Sequence, residues 1–307
     1  MRVVIIGAGG IAEKAYFPML TSWPYLEVAG VYSRTEETVR EAGKKWEFDF
    51  TSTKAEDLLE LKPDAAFIIS STGSHYRFCK LFLENGVDVY SEKSLTETSK
   101  ESFELARIAE KHKRILAVGF NRRYALLCER AKELIGNRRI QFALFQKHRP
   151  EPSHETLFQY YLDDTIHQID LARFFCGSLD ARSTICDRVD EKISGALSIM
   201  DIPGGGRAVV AVTRTAGAWQ ETVDIHGSGI SLHIDMFRQM IVKNKDHEII
   251  YGTDRAGNWT DDLKERGFQG EIAHFLECVS TRRNPLTNAV EAAETQELLE
   301  ALVEKAE

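Results

Sequence analysis

Apolar positions follow two different rhythms along this chain, and the change falls near Phe120. Before it, short continuous apolar runs alternate with amphipathic stretches. Val3-Val4-Ile5-Ile6 is too apolar to lie on a surface and predicts a strand buried on both faces, as in the middle of a parallel sheet. Val28–Tyr32, Ala65–Ser71, Val87–Ser91 and Ile115–Phe120 predict further buried strands. Helical patterns separate them at Glu36–Trp46, Ala55–Leu61, Tyr76–Glu84 and Lys100–Lys111. Leu61-Lys62-Pro63-Asp64 and Asn85-Gly86 punctuate the series as helix ends and turns. Such alternation predicts an α/β, doubly wound parallel sheet with right-handed crossovers.

After Phe120 a helix near Ala125–Ile135 leads to a strand at Ile140–His148, a proline-bearing loop over 149–152 and a long helix at Leu157–Phe175. Strand patterns then follow one another at Ser183–Asp187, Ala196–Asp201, Ala208–Arg214, Glu221–His226, Ser231–Asp235 and Ile249–Tyr251. Gly204-Gly205-Gly206 and Gly227-Ser228-Gly229 suit hairpin connections. Consecutive strands with short turns predict an antiparallel sheet, so the second half is α+β. Helices at Phe268–Ser280 and Ala289–Lys305 close the chain. Two domains are expected, 1–120 and 121–307.

Composition narrows the partners. A length of 307 residues with 43% hydrophobic and 28% charged content gives each domain enough apolar material for its own core. The net charge of −8 argues against nucleic acid or an anionic membrane as the main partner. Cys79, Cys128, Cys176, Cys186 and Cys278 are scattered, with no C-x-x-C pair, which suits reduced thiols rather than a disulfide frame or zinc site. No apolar run reaches the roughly 20 residues that span a bilayer. The first strand begins almost at Met1, leaving no room for a signal peptide, so a cytoplasmic location is expected. No two histidines sit at ligand spacing on one element, and no metal is expected.

The first strand runs into Gly7-Ala8-Gly9-Gly10-Ile11-Ala12, a G-x-G-x-x-A spacing between a buried strand and the helical run Ile11–Leu20. That context predicts a dinucleotide-binding turn. Gly7 permits the sharp turn, Gly9 lets the backbone approach a pyrophosphate, and Ala12 lets the helix pack close to the strand. The amides at the helix start, those of Gly10 and Ile11 included, then face the anion, whose charge the helix dipole favours. Further cofactor contacts are expected at Ser33 and Arg34, and at Ser71, Thr72 and His75. His75 reads as a cleft-lining or helix-start residue rather than a base.

An acidic residue ending the second strand would bind the ribose 2′-hydroxyl of NAD. Here Ser33-Arg34-Thr35 stands at that point, and a hydroxyl with a guanidinium suits a 2′-phosphate. NADP(H) is therefore favoured, with NAD(H) the alternative. The competing interpretation is that Ser33 caps the next helix and Arg34 is a solvated charge.

Hydride transfer at a carbon bearing oxygen needs a proton moved at that oxygen and a charge to steady it. Ser91-Glu92-Lys93-Ser94 follows a strand at the sheet edge where such folds bind ligands. In Asp163-Asp164-Thr165-Ile166-His167-Gln168-Ile169-Asp170, the residues Asp163, His167 and Asp170 fall at i, i+4 and i+7, and would share one face of a regular helix. A histidine titrates near neutral pH and can hold or release the hydroxyl proton, while the Lys93 ammonium would stabilise a developing alkoxide. Asp170 reads as structural. Arg122 and Arg123 either reach cofactor or substrate or hold the domain junction, and Tyr160 and Tyr161 either line a sugar pocket or pack in the core.

The glycine-rich start, the E-K after a strand and the D-x-x-x-H-x-x-D of the second half together resemble the Gfo/Idh/MocA oxidoreductase family. Gly119-Phe120-Asn121-Arg122-Arg123, Lys147-His148-Arg149, Leu162-Asp163-Asp164, Arg214-Thr215-Ala216-Gly217 and Glu265-Arg266-Gly267-Phe268 look most like its MviM-like subgroup. The resemblance implies an N-terminal Rossmann domain and a C-terminal α+β domain on an open antiparallel sheet, through which members pair into homodimers or homotetramers. It implies an NAD(P)-dependent oxidoreductase acting on a CH-OH group of a sugar-like or polyol substrate. Lys93 falls on the family lysine that contacts substrate and cofactor, His167 on the general acid/base, and Asp163 on the aspartate one turn earlier. Glu92 and Arg123 join the expected cofactor contacts. Two positions depart from the pattern: Ser94 stands where the family has proline, and Thr165 where it has glycine. A cis bond before serine costs about 2.5–4 kcal/mol, so the Lys93–Ser94 peptide is either trans, with the lysine aimed differently, or cis despite that cost. The alternative to an enzyme is a non-catalytic regulator or sensor that keeps the fold for binding alone.

Overall fold

A computed structural model describes residues 1–151, 154–252 and 262–306. They divide into two compact units, Met1–Phe120 with Glu271–Glu294, and Asn121–Gly270 with Thr295–Glu307.

The first unit is built on six parallel strands: β1 (Arg2–Ile6), β2 (Glu27–Tyr32), β3 (Thr51–Ser52), β4 (Ala65–Ile68), β5 (Asp88–Ser91) and β6 (Leu116–Val118). Their order is β3-β2-β1-β4-β5-β6. All pairs are parallel, so the strand order reverses its direction of growth between β1 and β4, which is where doubly wound sheets bind ligands. Val3 to Ile6 are fully buried, as a central strand requires. At about 1.5–3 kcal/mol per buried side chain, β1 is an apolar anchor of the unit's core. The helix Glu36–Trp46 starts where Thr35 accepts a bond from the Thr38 amide, and it carries Glu36 and Glu37 in its first turn and Lys44 and Lys45 in its last. Thr35, rather than Ser33, therefore caps that helix. β3 was not foreseen, because an edge strand of two polar residues has no apolar period to read. Residues 271–294 add Phe275, which meets Phe67 and Tyr90 with ring centroids 5.5 and 5.7 Å away.

The second unit carries an eight-stranded sheet. Its strands are β7 (Phe142–His148), β8 (Asp180–Val189), β9 (Lys192–Asp201), β10 (Arg207–Thr213), β11 (Gln220–Gly227), β12 (Ile230–Asp235), β13 (Gln239–Asn244) and β14 (His247–Gly252), in the order β14-β13-β12-β11-β7-β10-β9-β8. The pairs are antiparallel except β7 with β10, which is parallel and corrects the uniformly antiparallel expectation. The chain leaves β7 through helical segments and the β8–β9 hairpin, and a return of that kind permits a parallel partner. β13 was also missed. The glycine turns after β9 and β11 are hairpin connections, as expected. Alternation along β7 buries Ala143, Phe145 and Lys147 beneath the helix Ile166–Cys176, while Phe142 faces out. Pro152, in the expected 149–152 loop, lies outside the described residues.

The long helix expected at Leu157–Phe175 is interrupted. Leu157–Tyr160 is followed by a π-turn over Tyr161–Thr165, and the helix Ile166–Cys176 then continues. A wider turn changes the angular phase of what precedes it, so the i, i+4, i+7 face does not form. Asp163 is 69% exposed, whereas Asp170 is buried.

Candidate active site

In the first unit the predicted cofactor turn sits at the end of β1, beside the chain leaving β4. Gly7 has φ +118°, and a Cβ there would lie 2.7 Å from the Ile69 carbonyl carbon and oxygen. The glycine is therefore demanded by the fold itself. Gly9 and Gly10 differ: a Cβ at either would meet nothing within 4 Å. No internal contact requires glycine at those two positions, and the space beside them fits the approach of a pyrophosphate. The chain is helical from Gly10 to Ser22, with a π-turn at Ala12–Tyr16, so its first amides open onto that space. Ala12 is fully buried against the unit's core. Ser33 is buried, and Arg34, next to it at the end of β2, is exposed. Ser71 precedes the helix Thr72–Glu84, in whose first turn Thr72 and His75 lie.

Lys93 lies two residues past the end of β5, at the same carboxyl edge of the sheet as Gly7. The Lys93–Ser94 peptide is cis, which decides the alternative that the sequence left open. Two groups fix this turn. Glu92 accepts a 3.0 Å bond from the Lys93 amide and a 2.5 Å bond from the Tyr16 hydroxyl, which in turn lies 2.9 Å from the Tyr90 hydroxyl. Burial, and then the charge of Glu92, push the Tyr16 hydroxyl well above the usual tyrosine range. On the other side, His75 places one ring nitrogen 2.8 Å from the Ser94 carbonyl and the other 2.9 Å from that of Ser70. Burial lowers its pKa from the usual histidine range. His75 thus braces the turn that carries Lys93.

In the second unit His167 stands in the first turn of Ile166–Cys176, mostly buried. Asp163, one turn earlier, points to solvent and lies 3.1 Å from His154 Nε2. Asp164 instead occupies the buried side. Its carboxylate accepts two bonds from Arg149, at 2.8 and 2.7 Å, and lies 2.6 Å from Lys147 Nζ and 3.4 Å from Arg214 Nη2. Glu221, paired directly across the sheet with Lys147, accepts two bonds from Arg122, at 2.7 and 2.6 Å, and lies 3.6 Å from Lys147 Nζ. Arg123 is engaged with Asp170 at 2.9 and 2.7 Å and is only 3% exposed. Tyr161 is buried with its hydroxyl 2.7 Å from that of Ser198, and Tyr160 lies beneath the Arg214 guanidinium.

Electrostatics follow from this arrangement. Burial would raise the Asp164 carboxyl, but Arg149 and Lys147 outweigh it and hold the group far below the usual carboxylate range. Burial pushes Lys147 down to about 8 despite its two carboxylate neighbours. Arg122 and Lys147 keep Glu221 ionised against complete burial. No role had been assigned to Lys147, Arg149 or Glu221 from the sequence. One signal was available: Lys147 and Glu221 occupy the inward phase of otherwise apolar alternations, Ala143-x-Phe145-x-Lys147 and Glu221-x-Val223-x-Ile225. A charge at such a place is buried and must be paired.

Comparison with known proteins identifies the architecture. Residues 1–120 match the profile of the Gfo/Idh/MocA group, described as an oxidoreductase family with an NAD-binding Rossmann fold. YceM of Salmonella typhimurium, named an oxidoreductase, is 29% identical over 307 residues, covering 98% of this chain and 97% of that protein. A scyllo-inositol 2-dehydrogenase (NAD(+)) of Bacillus subtilis is 24% identical, covering 95% and 90%. Among solved structures, a dehydrogenase (MviM) from Clostridium difficile superposes with a TM-score of 0.88 at 25% identity, covering 97% of each chain. Among the described residues no helix is long and apolar enough to cross a membrane.

Proposed function

From the match of residues 1–120 to the Gfo/Idh/MocA oxidoreductase family and the full-length likeness to its members, we propose that the protein transfers a hydride between a nicotinamide dinucleotide and a hydroxyl or carbonyl carbon of a sugar-like or polyol substrate. The observation that carries this reading is the placement of the open Gly9–Gly10 turn and of Lys93 along one carboxyl edge of a single parallel sheet. The 1–120 region holds the dinucleotide, with Gly9, Gly10 and Ile11 at its phosphates and Gly7 and Ala12 shaping the turn that presents them, and the remainder receives the substrate. When bound, the nicotinamide accepts or donates the hydride. Lys93 stabilises charge at the substrate oxygen, and His167 takes or returns its proton. Asp163, exposed beside His154, engages a substrate hydroxyl. The exposed position of Arg34 after buried Ser33 supports a 2′-phosphate contact and hence NADP(H). The naming of relatives as inositol and sugar dehydrogenases supports the substrate class.

The second unit's sheet also supports self-association. Ile185 and Leu197, paired across β8 and β9, are both exposed, as is Phe142 on β7. An apolar strip on one sheet face is the kind of surface a second copy covers, so the working assembly is a homodimer or homotetramer.

The test is a screen of keto-sugars and polyols for change in nicotinamide absorbance, with NADPH and NADH in parallel. Turnover lost in His167→Asn and Lys93→Ala, with cofactor affinity retained in the former, supports the reading. Tight cofactor binding without turnover of any substrate favours a sensor instead, and tighter NADH than NADPH overturns the cofactor preference.

A further inference from the structure

The charges around Asp164 do not balance. Among the described residues, Arg122, Lys147, Arg149 and Arg214 form one connected cluster of the second unit with two buried carboxylates, Asp164 and Glu221. Asp163, exposed beside His154, adds its charge to Arg149 from the surface, and four cations still face three carboxylates. Arg122 and Arg149 take the two bidentate positions, on Glu221 and Asp164 respectively. Lys147 shares both carboxylates and is 2% exposed; Arg214 reaches Asp164 only at 3.4 Å and is 12% exposed. The Arg214 Nε is shut from solvent, and neither it nor the nearby Tyr160 hydroxyl reaches a hydrogen bond of good geometry. A buried cation with an unanswered donor is costly, and the cost is removed when an anion completes the set.

Topology explains why these groups open on one spot. β7 and β10 are the one parallel pair of this sheet, so their carboxyl ends lie together, and Arg149 and Arg214 each follow such an end. The Arg149 amide bonds to the Thr213 carbonyl at 2.8 Å, which holds the two segments side by side. Arg149, 36% exposed in its side chain, forms the outer part and Arg214 the inner part. Asp164, which both arginines contact, lies in the π-turn that runs directly into the helix bearing His167, three residues later.

We propose that Arg149 and Arg214 form an oxyanion subsite, and that the substrate is a polyol or sugar bearing a carboxylate or a phosphate. The inference rests on the oxidoreductase reading for the position of the reacting carbon, near His167. Arg149 supplies long-range attraction at the mouth, and Arg214 supplies the donor that waits for an acceptor.

Calorimetric titration tests this, using matched pairs: D-glucuronate against D-glucose, and myo-inositol 1-phosphate against myo-inositol, with and without NADPH, and inorganic phosphate alone. The expected result is at least tenfold tighter binding of one charged member than of its neutral partner, weakening as salt rises. That preference falls at least tenfold in Arg214→Gln and less in Arg149→Gln. Preference for glucuronate alone assigns the carboxylate, and preference for the inositol phosphate alone assigns the phosphate. Should Arg214→Gln not fold, the salt dependence in the unsubstituted protein and the Arg149→Gln variant carry the test. Equal or absent binding across each pair overturns the proposal, as does inorganic phosphate binding as tightly as the sugar compounds. Hydride transfer to neutral ketoses with no charge preference would sink this inference and leave the oxidoreductase reading intact. Charge-selective binding with no transfer to any compound would do the reverse.

Discussion

The candidate site of the first unit is made of main chain, and that of the second is made of charged side chains. At the end of β1 the working parts are a left-handed glycine, an uncluttered turn and the first amides of a helix. Around Asp164 they are three guanidiniums, an ammonium and two carboxylates gathered from β7, β11, the ends of two parallel strands and a π-turn. A main-chain site tolerates side-chain change wherever space is left and fails wherever a Cβ has no room. A side-chain charge site has the opposite weakness, since each member is neutralised by others and removing one strands its partners.

The largest expected effect lies in the second unit. Glu221→Gln leaves Arg122 and Lys147 buried with one carboxylate fewer and should destabilise the protein by about 3–5 kcal/mol in urea unfolding. A loss under 1 kcal/mol would mean that the cluster is not tightly coupled. Next comes Gly7→Ala, whose Cβ must push into the Ile69 carbonyl from a positive φ; a cost of about 2–4 kcal/mol is expected. Third is a pH effect on the Lys147 ammonium. Its folded pKa, about 8, lies below its ordinary value of 10.5, so between these pH values the unfolded chain binds more protons than the folded one. Stability attributable to this group therefore rises as pH increases from 8 to 10.5, by up to about 3 kcal/mol. The difference in stability between wild type and Lys147→Met should grow across that range, and a difference independent of pH would refute the assignment. The smallest stability change is expected for Gly9→Ala, which finds open space and should unfold like the wild type. Its cofactor affinity should nevertheless fall about tenfold, or ~1.4 kcal/mol; unchanged affinity would remove the turn from the cofactor site.

The same contrast explains what could be read in advance. Gly7, Gly9 and Ala12 are adjacent in sequence because one turn of backbone makes the whole device, and Lys93 is adjacent to the strand that carries it. The helix Glu36–Trp46 was legible from its amphipathic pattern, although its cap is Thr35 and not the Ser33 that the sequence offered. The side-chain cluster was not legible, because Lys147, Asp164, Arg214 and Glu221 lie up to 74 positions apart and meet only through the β7–β10 and β7–β11 pairings. The parallel pairing has no local signature, as strand direction depends on the route of the intervening chain. The π-turn at Tyr161–Thr165 was equally hidden, and it is what turns Asp163 outward and Asp164 into the cluster. Spacing arithmetic on a helix presumes a constant turn, and this helix does not keep one.

The central claim is that Lys93 and His167 serve one hydride transfer. It is tested most directly by supplying NADPH deuterated at the nicotinamide C4 with charged and neutral keto-sugars, and by locating the label by mass spectrometry. The account predicts deuterium on the new carbinol carbon with the wild-type protein, and at least a hundredfold slower labelling with either Lys93→Ala or His167→Asn. Bound NADPH that passes no label to any compound, or labelling unaffected by both substitutions, would contradict it.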